Sequence, residues 1–522
     1  MKNININYSI IIFLTIIFGI LNIYFVFKFG RLNYELFVDD VGYALSPLRS
    51  FIDENHIWKI DFLNAHSPYQ FLIASIGLKI FGYNDYAIYL SNFLPLIVLS
   101  LIIYEKFGKE NKILFFFISL YILSSPLVYR LINEFRPDIF YGIILTYALN
   151  CSIYFNLNKL KNKLILIILL TSSLYIKPSF IFHTFFYFII ILIIINFKAK
   201  LSFKKIISNL VNYLFIPLLI SLVIFLKRYQ AIIDHYVNSF KSEGFLFDSE
   251  KNLIDLIYFN LFDIEYGMVF IGFNIYLFII LFLTSLPYLM NKFRRKELLN
   301  IYLIPLIGII SFLILCQTRV INQHVYATFH FSIILSSGML FKFFWDYFYS
   351  KKIFITLIVL FLTTMSISNF QFYKYNTFGI LSNFERIEIA KADNKNIIKL
   401  IHKTILPNYN NKKEIKIYVP FYTPVNFLSL NWYQSLLEFN NKNKINKKTF
   451  FLFETPNTNF DKIQKTLDES DIIIIPKSKN KYIFKFFEIN ELVDTTHDKL
   501  SDNKNIYKHI ENNNFKIYFR SE

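Results

Sequence analysis

Two neighbouring carboxylates are the first residues in this 522-residue chain whose types and spacing indicate chemistry. Asp39 and Asp40 directly follow the first apolar run, Tyr43 comes three residues later, and His66 lies further along the same polar connection. A carboxylate can act as a general base toward a hydroxyl group, whereas Asp and His side chains together can bind a divalent cation. Because this spacing does not define a metal site, the pair indicates acid–base chemistry, and a divalent metal stays an open alternative.

A second set of charged residues lies between later apolar runs. It includes Arg and Lys, the two side-chain types that commonly bind phosphate. Arg forms bidentate contacts with phosphate and Lys forms a point contact. The set consists of Arg130, Glu134, Arg136, Asp138, Lys177, Arg319 and His324, with Tyr326 close behind. We predict that Arg136, Lys177 and Arg319 bind an anion, although Asp138 could instead hold Arg136 in a structural pair. A solvated rim that only anchors helices is the alternative interpretation of the whole set.

The elements that must position these residues are apolar runs of membrane length. Apolar residues make up 55% of the chain and charged residues 18%, against the 45–50% and 25% of ordinary soluble chains. A membrane helix needs about 20 mostly apolar residues. We predict eleven spans, near 8–28, 86–104, 113–129, 139–157, 163–176, 179–197, 209–226, 267–290, 300–316, 325–343 and 353–370. The first lacks a cleavage site and is predicted to be a signal anchor.

Lys and Arg in the connections predict the orientation of these spans. Short basic connections face the cytoplasm. Five of them alternate with longer, more acidic connections: KFGKENK, KLKNK, FKAKLSFKK, NKFRRK and YSKK. The N-terminus is therefore predicted inside and the C-terminus outside, in a bacterial inner membrane, and the candidate site residues share the outer level. The net charge of +18 mostly describes this topology, so nucleic acid is not predicted as a partner.

The chain divides into two predicted domains. Residues 1–370 form a transmembrane domain whose first outer loop spans 29–85, and residues 371–522 form a small extracytoplasmic α/β domain. In the latter, KEIKIYVPF, DIIIIP and FKIYF are predicted strands, FDKIQKTLDES a helix and NNKNKINKK a loop. The predicted fold class is thus an α-helical polytopic membrane protein with an α/β appendage.

The apolar cores of the predicted spans contain no Asp, Glu, Lys or Arg, and only His183 and His330 are titratable imidazoles within them. Ion-coupled transporters place charges near the membrane midplane, so that class is disfavoured. A lone His on an apolar face is typically a hydrogen-bonded core residue, and we predict that role for both.

The order of these motifs resembles membrane glycosyltransferases of the C-type fold. The nearest likeness is to the polyprenyl-phosphate-mannose protein mannosyltransferases and the lipid A aminoarabinose transferase, or glycosyltransferase family 39. In these the first loop reads roughly Asp-Glu-x-x-Tyr-Ala, then His-x-Pro-Pro and a helix ending in Phe-Gly. The matching segments are Asp39-Asp40-Val41-Gly42-Tyr43-Ala44, His66-Ser67-Pro68-Tyr69, Phe81-Gly82, Arg136-Pro137-Asp138, Lys177, and Arg319 with His324 and Tyr326. Asp40, Val41 and Tyr69 depart from the pattern.

The resemblance implies an inverting glycosyltransferase that uses a polyprenyl-phosphate-linked sugar at the outer membrane face. It assigns the general base to Asp39, whereas the residues alone leave Asp39 and Asp40 as equal candidates. It implies substrate-binding roles for Tyr43, His66, Asp138, His324 and Tyr326, besides the three cations. The acceptor is a lipid, a glycan such as lipopolysaccharide, or a protein of the cell envelope.

Three other functions stay open. A flippase for lipid-linked oligosaccharides would show internal repeats and charges within the spans, and neither is present in the sequence. A glycan polymerase or ligase usually has its polar site in a large loop late in the chain. A membrane scaffold would tolerate loss of all the outer charges. The sequence has no P-loop or Rossmann glycine pattern, as expected for an enzyme with a lipid-linked donor.

Overall fold

The chain is a mostly helical membrane protein with a small sheet near the C-terminus in a computed structural model. The structure describes residues 6–29, 38–52, 67–84, 86–198, 203–241, 252–263, 268–317, 323–348, 352–376, 393–409, 412, 414–419, 427–441, 448–452, 460–477, 496, 498, 500, 507–511 and 514–520.

Helices account for most of the described residues. They are α1 Ile6–Phe29, α2 Val38–Ile52, α3 Pro68–Phe81, α4 Ala87–Leu90, α5 Phe93–Phe107, α6 Lys112–Leu123, α7 Pro126–Asn133, α8 Pro137–Tyr154, α9 Leu160–Ile176, α10 Ile181–Lys198, α11 Phe203–Leu210, α12 Ile216–Lys241, α13 Leu253–Leu261, α14 Met268–Ile271, α15 Asn274–Ser285, α16 Lys292–Cys316, α17 Ala327–Phe348, α18 Lys352–Asn376, α19 393–400, α20 Phe427–Asn441 and α21 Phe460–Glu469. Short 3-10 or π turns cover Pro178–Phe180, Val211–Phe215, Leu286–Met290, Gln323–Tyr326, Ile401–Ile405 and Leu406–Asn408.

Seven helices among the described residues are long and apolar enough to cross a membrane, and a bent pair would make an eighth. The seven are Ile6–Phe27, Ala87–Phe107, Pro178–Phe197, Phe203–Gln230, Phe293–Cys316, His324–Phe348 and Lys352–Asn369. The bent pair is α6 with α7, which meet at 59° just before Pro126. The helical membrane class is thus confirmed, whereas a count of eleven spans stays a prediction.

One predicted span that is absent from the seven, 139–157, coincides with α8, and the burial of this helix gives a physical reason. Residues 137–153 of this helix are all buried, so its polar side chains face protein partners instead of lipid. Thr146 donates to the carbonyl of Thr328 (3.1 Å) on α17, and the Asn150 amide contacts the sulfur of Met339 (3.6 Å). A helix surrounded by protein does not need the uniform apolarity of a lipid-facing one.

The chain folds as two compact units. The first comprises residues 1–24, 62–73 and 89–380, and the second comprises 25–61, 74–88 and 381–522. The predicted domain boundary near residue 370 stays a prediction.

The first unit is built around α8 and α17. Gly142 on α8 lies so close to α17 that a Cβ there would be 2.5 Å from the backbone nitrogen of Thr328. Large apolar side chains on other helices of this unit point outward, such as Phe13 and Ile16 of α1 and Leu360 of α18. Such outward apolar faces suit a lipid environment.

The second unit contains a five-stranded sheet of order β2-β1-β3-β5-β4. The strands are β1 Glu414–Tyr418, β2 Lys448–Leu452, β3 Ile472–Pro476, β4 Tyr507–Glu511 and β5 Phe515–Arg520. The first three in sequence pair in parallel, with α20 and α21 in the two connections, and β5 pairs antiparallel with β3 and β4. Three predicted strands and one predicted helix are confirmed. Helix α20 and strands β2 and β4 were not predicted from the sequence.

Helix α2 belongs to the second unit and packs against α20. Ala44 and Leu48 are buried, and the Arg49 guanidinium donates to the side-chain oxygen of Asn431 (2.8 Å). The partner of α2 within the second unit is therefore another helix.

Candidate functional site

Prolines set the backbone at two of the predicted phosphate-binding cations. Arg136 (φ −123°, ψ 138°) and Lys177 (φ −139°, ψ 75°) each directly precede a proline. A following proline disfavours helical backbone at the preceding residue, and proline is well tolerated at the first position of a helix. The helix ending at Asn133 therefore stops before Arg136, α9 stops before Lys177, and a new helical segment starts after each cation.

Glu134 is the centre of a charged cluster in the first unit that also contains Arg130, Arg136 and His324. Its side chain is fully buried, and its Oε1 forms an ion pair with Arg130 one helical turn earlier. Its Oε2 lies 2.5 Å from Nε2 of His324, which is 190 residues away in sequence. A buried carboxylate with partners at both oxygens is stabilised as an anion.

Arg136 and Phe270 complete the surroundings of His324. Arg136 Nη1 lies 3.3 Å from His324 Nδ1, and Arg136 itself is half-buried. The Phe270 ring meets the His324 ring edge-on, with centroids 4.8 Å apart. The guanidinium of Arg130 lies over the same Phe270 ring at 4.6 Å, within cation–π range. One aromatic ring thus supports two members of the cluster.

Asp138 and Lys177 form a second ion pair beside this cluster. Lys177 Nζ lies 3.0 Å from Asp138 Oδ1, and both side chains are largely buried. Burial alone would raise the pKa of Asp138, but Lys177, with smaller contributions from His324 and Arg136, lowers that pKa below its ordinary value. Asp138 is therefore ion-paired with Lys177, and the structural pair of Asp138 with Arg136 stays a prediction.

Two asparagine side chains hold the backbone that carries the cluster. The Asn92 amide donates to the carbonyls of Ile132 (3.1 Å) and Glu134 (2.8 Å), and the Asn22 amide donates to Ile132 (2.5 Å). The last carbonyls of a helix have no partner within the helix, so a buried helix end needs such donors. Asn22 and Asn92 therefore fix the position where α7 ends and the charged segment starts.

The segment after His66 contacts the chain next to the Asp138–Lys177 pair. Ser67 Oγ donates to the carbonyl of Ile176 (2.6 Å), the residue directly before Lys177, and accepts from the backbone of Gln70 (3.3 Å). The Tyr69 ring stacks on Phe140 at 4.8 Å, two residues after Asp138. The start of α3 therefore contacts the segments that bear both members of the second ion pair.

The structure brings together four predicted site residues: Arg136, Asp138, Lys177 and His324. Tyr326 follows His324 by two residues and is buried. Its ring lies against the Phe312 ring, with centroids 5.0 Å apart. His66 and Arg319 lie outside the described residues, so their roles stay predictions.

The acidic pair lies in the second unit and not on an extended loop. Asp39 and Asp40 are in the first turn of α2, and Tyr43 follows in the same helix, half-buried. The sequence favours an extended loop here, on which adjacent acids would point to opposite sides, and this expectation is wrong. Consecutive helical positions are about 100° apart around the axis, so helix geometry does not assign them opposite sides.

The two histidines within the spans differ. His183 is hydrogen-bonded as predicted, through Nδ1 to the Tyr141 hydroxyl (2.8 Å) and through Nε2 to Ser311 (2.5 Å). His330 is fully buried and stacks on Phe270 with centroids 5.8 Å apart, but neither ring nitrogen has a hydrogen-bond partner among the described residues.

Several supporting residues were not assigned by the sequence. The spacing of Arg130 and Glu134 (i, i+4) was the one available signal for their ion pair, since such pairs face each other on a helix. Phe270, Asn22 and Asn92 carried no comparable signal, because their roles depend on contacts between distant segments.

The part of the chain that the structure describes contains no group of three His, Cys, Asp or Glu side chains that could hold a metal ion. The side chains of Asp39, Asp40 and His66, the suggested oxygen and nitrogen donors, are outside that part. Among the described residues, the cluster around Glu134, taken together with the Asp138–Lys177 pair, has three cationic side chains and two carboxylates, and Arg136 is only half-buried. Its excess of cations suits a bound anion.

Comparison with known proteins adds no assignment. No protein-family model matches this chain, and no curated protein sequence matches it.

Proposed function

We propose that this protein is an inverting glycosyltransferase that moves a sugar from a polyprenyl phosphate to a lipid, glycan or protein acceptor at the outer membrane face. The observation that supports the proposal best is the meeting of Arg130, Glu134, Arg136, Asp138, Lys177 and His324, which come from three separate segments. A buried cluster with excess cations next to apolar helices suits a phosphate that is attached to a lipid tail.

The proposed reaction has one displacement. The acceptor hydroxyl oxygen forms a bond to the anomeric carbon as the bond from that carbon to the phosphate oxygen breaks, and the anomeric configuration inverts. Asp39 takes the hydroxyl proton, with Asp40 as the alternative base. Arg136, Lys177 and Arg319 stabilise the charge on the departing polyprenyl phosphate, as preorganised cations do for developing negative charge.

The remaining predicted residues complete the substrate site in this proposal. Tyr43, His66 and Tyr326 border the sugar and phosphate, Asp138 orients Lys177, and His324 adjoins Arg136. The C-terminal α/β domain is extracytoplasmic and shapes the acceptor site.

The first test is transfer by the purified full-length protein in liposomes that contain labelled polyprenyl-phosphate sugars. We expect Asp39→Asn to lower transfer by at least about a hundredfold, the lower bound typical of a general base, while membrane insertion is unchanged. Asp255→Asn is the matched control, because Asp255 is an exposed carboxylate near the start of α13. Full activity of Asp39→Asn would remove the assignment of the base.

The second test identifies the sugar and acceptor. Mass spectrometry of surface glycolipids and glycoproteins, with and without this protein, should show one sugar mass missing from one acceptor. Unchanged surface glycans, with no transfer by the purified protein, would contradict the proposed function and favour a scaffold or flippase.

A further inference from the structure

Hydrogen-bond geometry determines where the proton of His324 lies. An arginine guanidinium has N–H donors and no acceptor. Arg136 Nη1 lies 3.3 Å from His324 Nδ1, so Nδ1 accepts this hydrogen bond and carries no proton. The proton of the neutral ring is then on Nε2, which donates to Glu134 Oε2 at 2.5 Å. A doubly protonated ring would turn an N–H toward the Arg136 cation.

The charged groups around His324 agree with this tautomer. Glu134, with Arg130 at its other oxygen, accepts at the Nε2 side. Arg136 donates at the Nδ1 side, Asp138 contributes a more distant negative charge, and His330 lies across the Phe270 ring. A carboxylate that accepts from one ring nitrogen is what fixes the tautomer of a histidine in catalytic and metal sites.

We propose that Glu134 is a positioning residue that holds Arg136 toward the donor phosphate, through the Nε2–H tautomer of His324. Arg130 is the counterion at the other oxygen of Glu134. His324 thus acts as a neutral hydrogen-bond acceptor for Arg136 and does not itself supply positive charge to the phosphate. This inference rests on the proposed function, because that function makes Arg136 a phosphate ligand.

The tautomer is tested by solid-state NMR of the full-length protein labelled with 15N-histidine. The chain has nine histidines, so subtracting the spectrum of His324→Gln isolates the signals of His324. We expect one bare nitrogen assigned to Nδ1 and one protonated nitrogen assigned to Nε2 at neutral pH. Protonation at Nδ1, or at both nitrogens, overturns the proposal. This measurement needs no substrate.

The positioning role is tested by the binding of unsubstituted polyprenyl phosphate to the protein in nanodiscs. Glu134→Gln should weaken binding at least about tenfold, since the hydrogen bond from His324 Nε2–H then ends on a neutral amide oxygen instead of a charged carboxylate, and should change the Nδ1 signal. Lys177→Gln should weaken binding while leaving the His324 signals as they are. The control is Glu297→Gln, whose carboxylate pairs with Arg294 at 3.1 Å, and it should change neither quantity.

The outcomes separate the two proposals. Wild-type protein that does not bind polyprenyl phosphate contradicts the proposed function, while the nitrogen spectrum still decides the tautomer. Wild-type protein that binds, with Glu134→Gln binding equally well, overturns the positioning role alone. If Glu134→Gln does not fold, the wild-type spectrum still decides the tautomer. Glu134→Asp, which keeps the charge on a shorter side chain, then tests the positioning role: weaker binding of polyprenyl phosphate supports that role, and unchanged binding overturns it.

Discussion

The Asp138–Lys177 pair is the contact whose stability should depend on pH most directly. Because the pKa of Asp138 is lowered in the folded protein, this pair stabilises the fold above the ordinary carboxyl pKa, and the contribution is lost as pH falls through the lowered value. At neutral pH, Asp138→Asn should cost about 3 kcal/mol, because it removes the negative charge that faces the largely buried Lys177 ammonium.

The measurement is thermal unfolding in detergent from neutral pH to about pH 3, below the ordinary aspartate pKa of about 3.9. The difference between wild type and Asp138→Asn should be largest near neutral pH and shrink in acid, as the carboxyl of the unfolded chain takes up its proton first and that of the folded protein follows. Asp255→Asn, at an exposed carboxylate, should stay within about 0.5 kcal/mol of wild type. A constant difference across the pH range would contradict a role for the ionised carboxylate.

The sequence predicted single residues better than their partners. Arg136, Asp138, Lys177 and His324 could be selected because alternating connections share one membrane face. The partner of Asp138 was not predictable from spacing, since Arg136 is two residues away and Lys177 is 39 further along the chain than Asp138. Glu134 and His324 meet only because several helices pack together, and no local pattern records that packing.

At the scale of elements, the close approach of α8 to α17 makes Gly142 sensitive to any added side chain. A Cβ at Gly142 would lie 2.5 Å from the Thr328 nitrogen and 2.6 Å from the Ala327 carbonyl carbon, and backbone atoms cannot move aside cheaply. We expect Gly142→Ala to destabilise the protein by about 1–3 kcal/mol, the usual cost of overpacking. Thermal unfolding of the purified protein measures this cost.

Gly338 on α17 provides the matched control. A Cβ there would meet only side-chain atoms at 3.5 Å or more, which is ordinary contact. Gly338→Ala should therefore be neutral or stabilising, since alanine is the better helix former by about 1 kcal/mol. Equal stability of the two variants would show that the helices separate more easily than their packing indicates.

Element types were more predictable than element boundaries. Long apolar runs and the isoleucine-rich DIIIIP segment indicated helices and a strand correctly, because burial leaves a strong compositional signal. Helix α20 was missed, and β2 starts at Lys448, the last residue of a predicted loop. The Lys- and Asn-rich approach to β2 has low strand propensity, so parallel pairing with β1 determines that strand instead.

At the scale of the whole molecule, the number of spans decides on which side of the membrane the C-terminal sheet lies. A chain that starts in the cytoplasm and crosses seven or eleven times ends outside, whereas eight crossings return it to the cytoplasm. The structure allows seven spans, or eight if α6 and α7 form one. The five basic connections favour the odd count, because Lys and Arg are retained on the cytoplasmic side.

Single cysteines at exposed lysines test this topology with a membrane-impermeant maleimide on cells whose outer barrier is opened. Native Cys151 and Cys316 are buried and should give little background. Lys508→Cys in β4 should be labelled from outside, whereas Lys109→Cys, between the second and third predicted spans, should be labelled only after the cytoplasmic membrane is broken. Early labelling of Lys109→Cys together with protection of Lys508→Cys would reverse the orientation. Protection of both would indicate an even count, and would place the sheet on the side opposite to a lipid-linked sugar at the outer face.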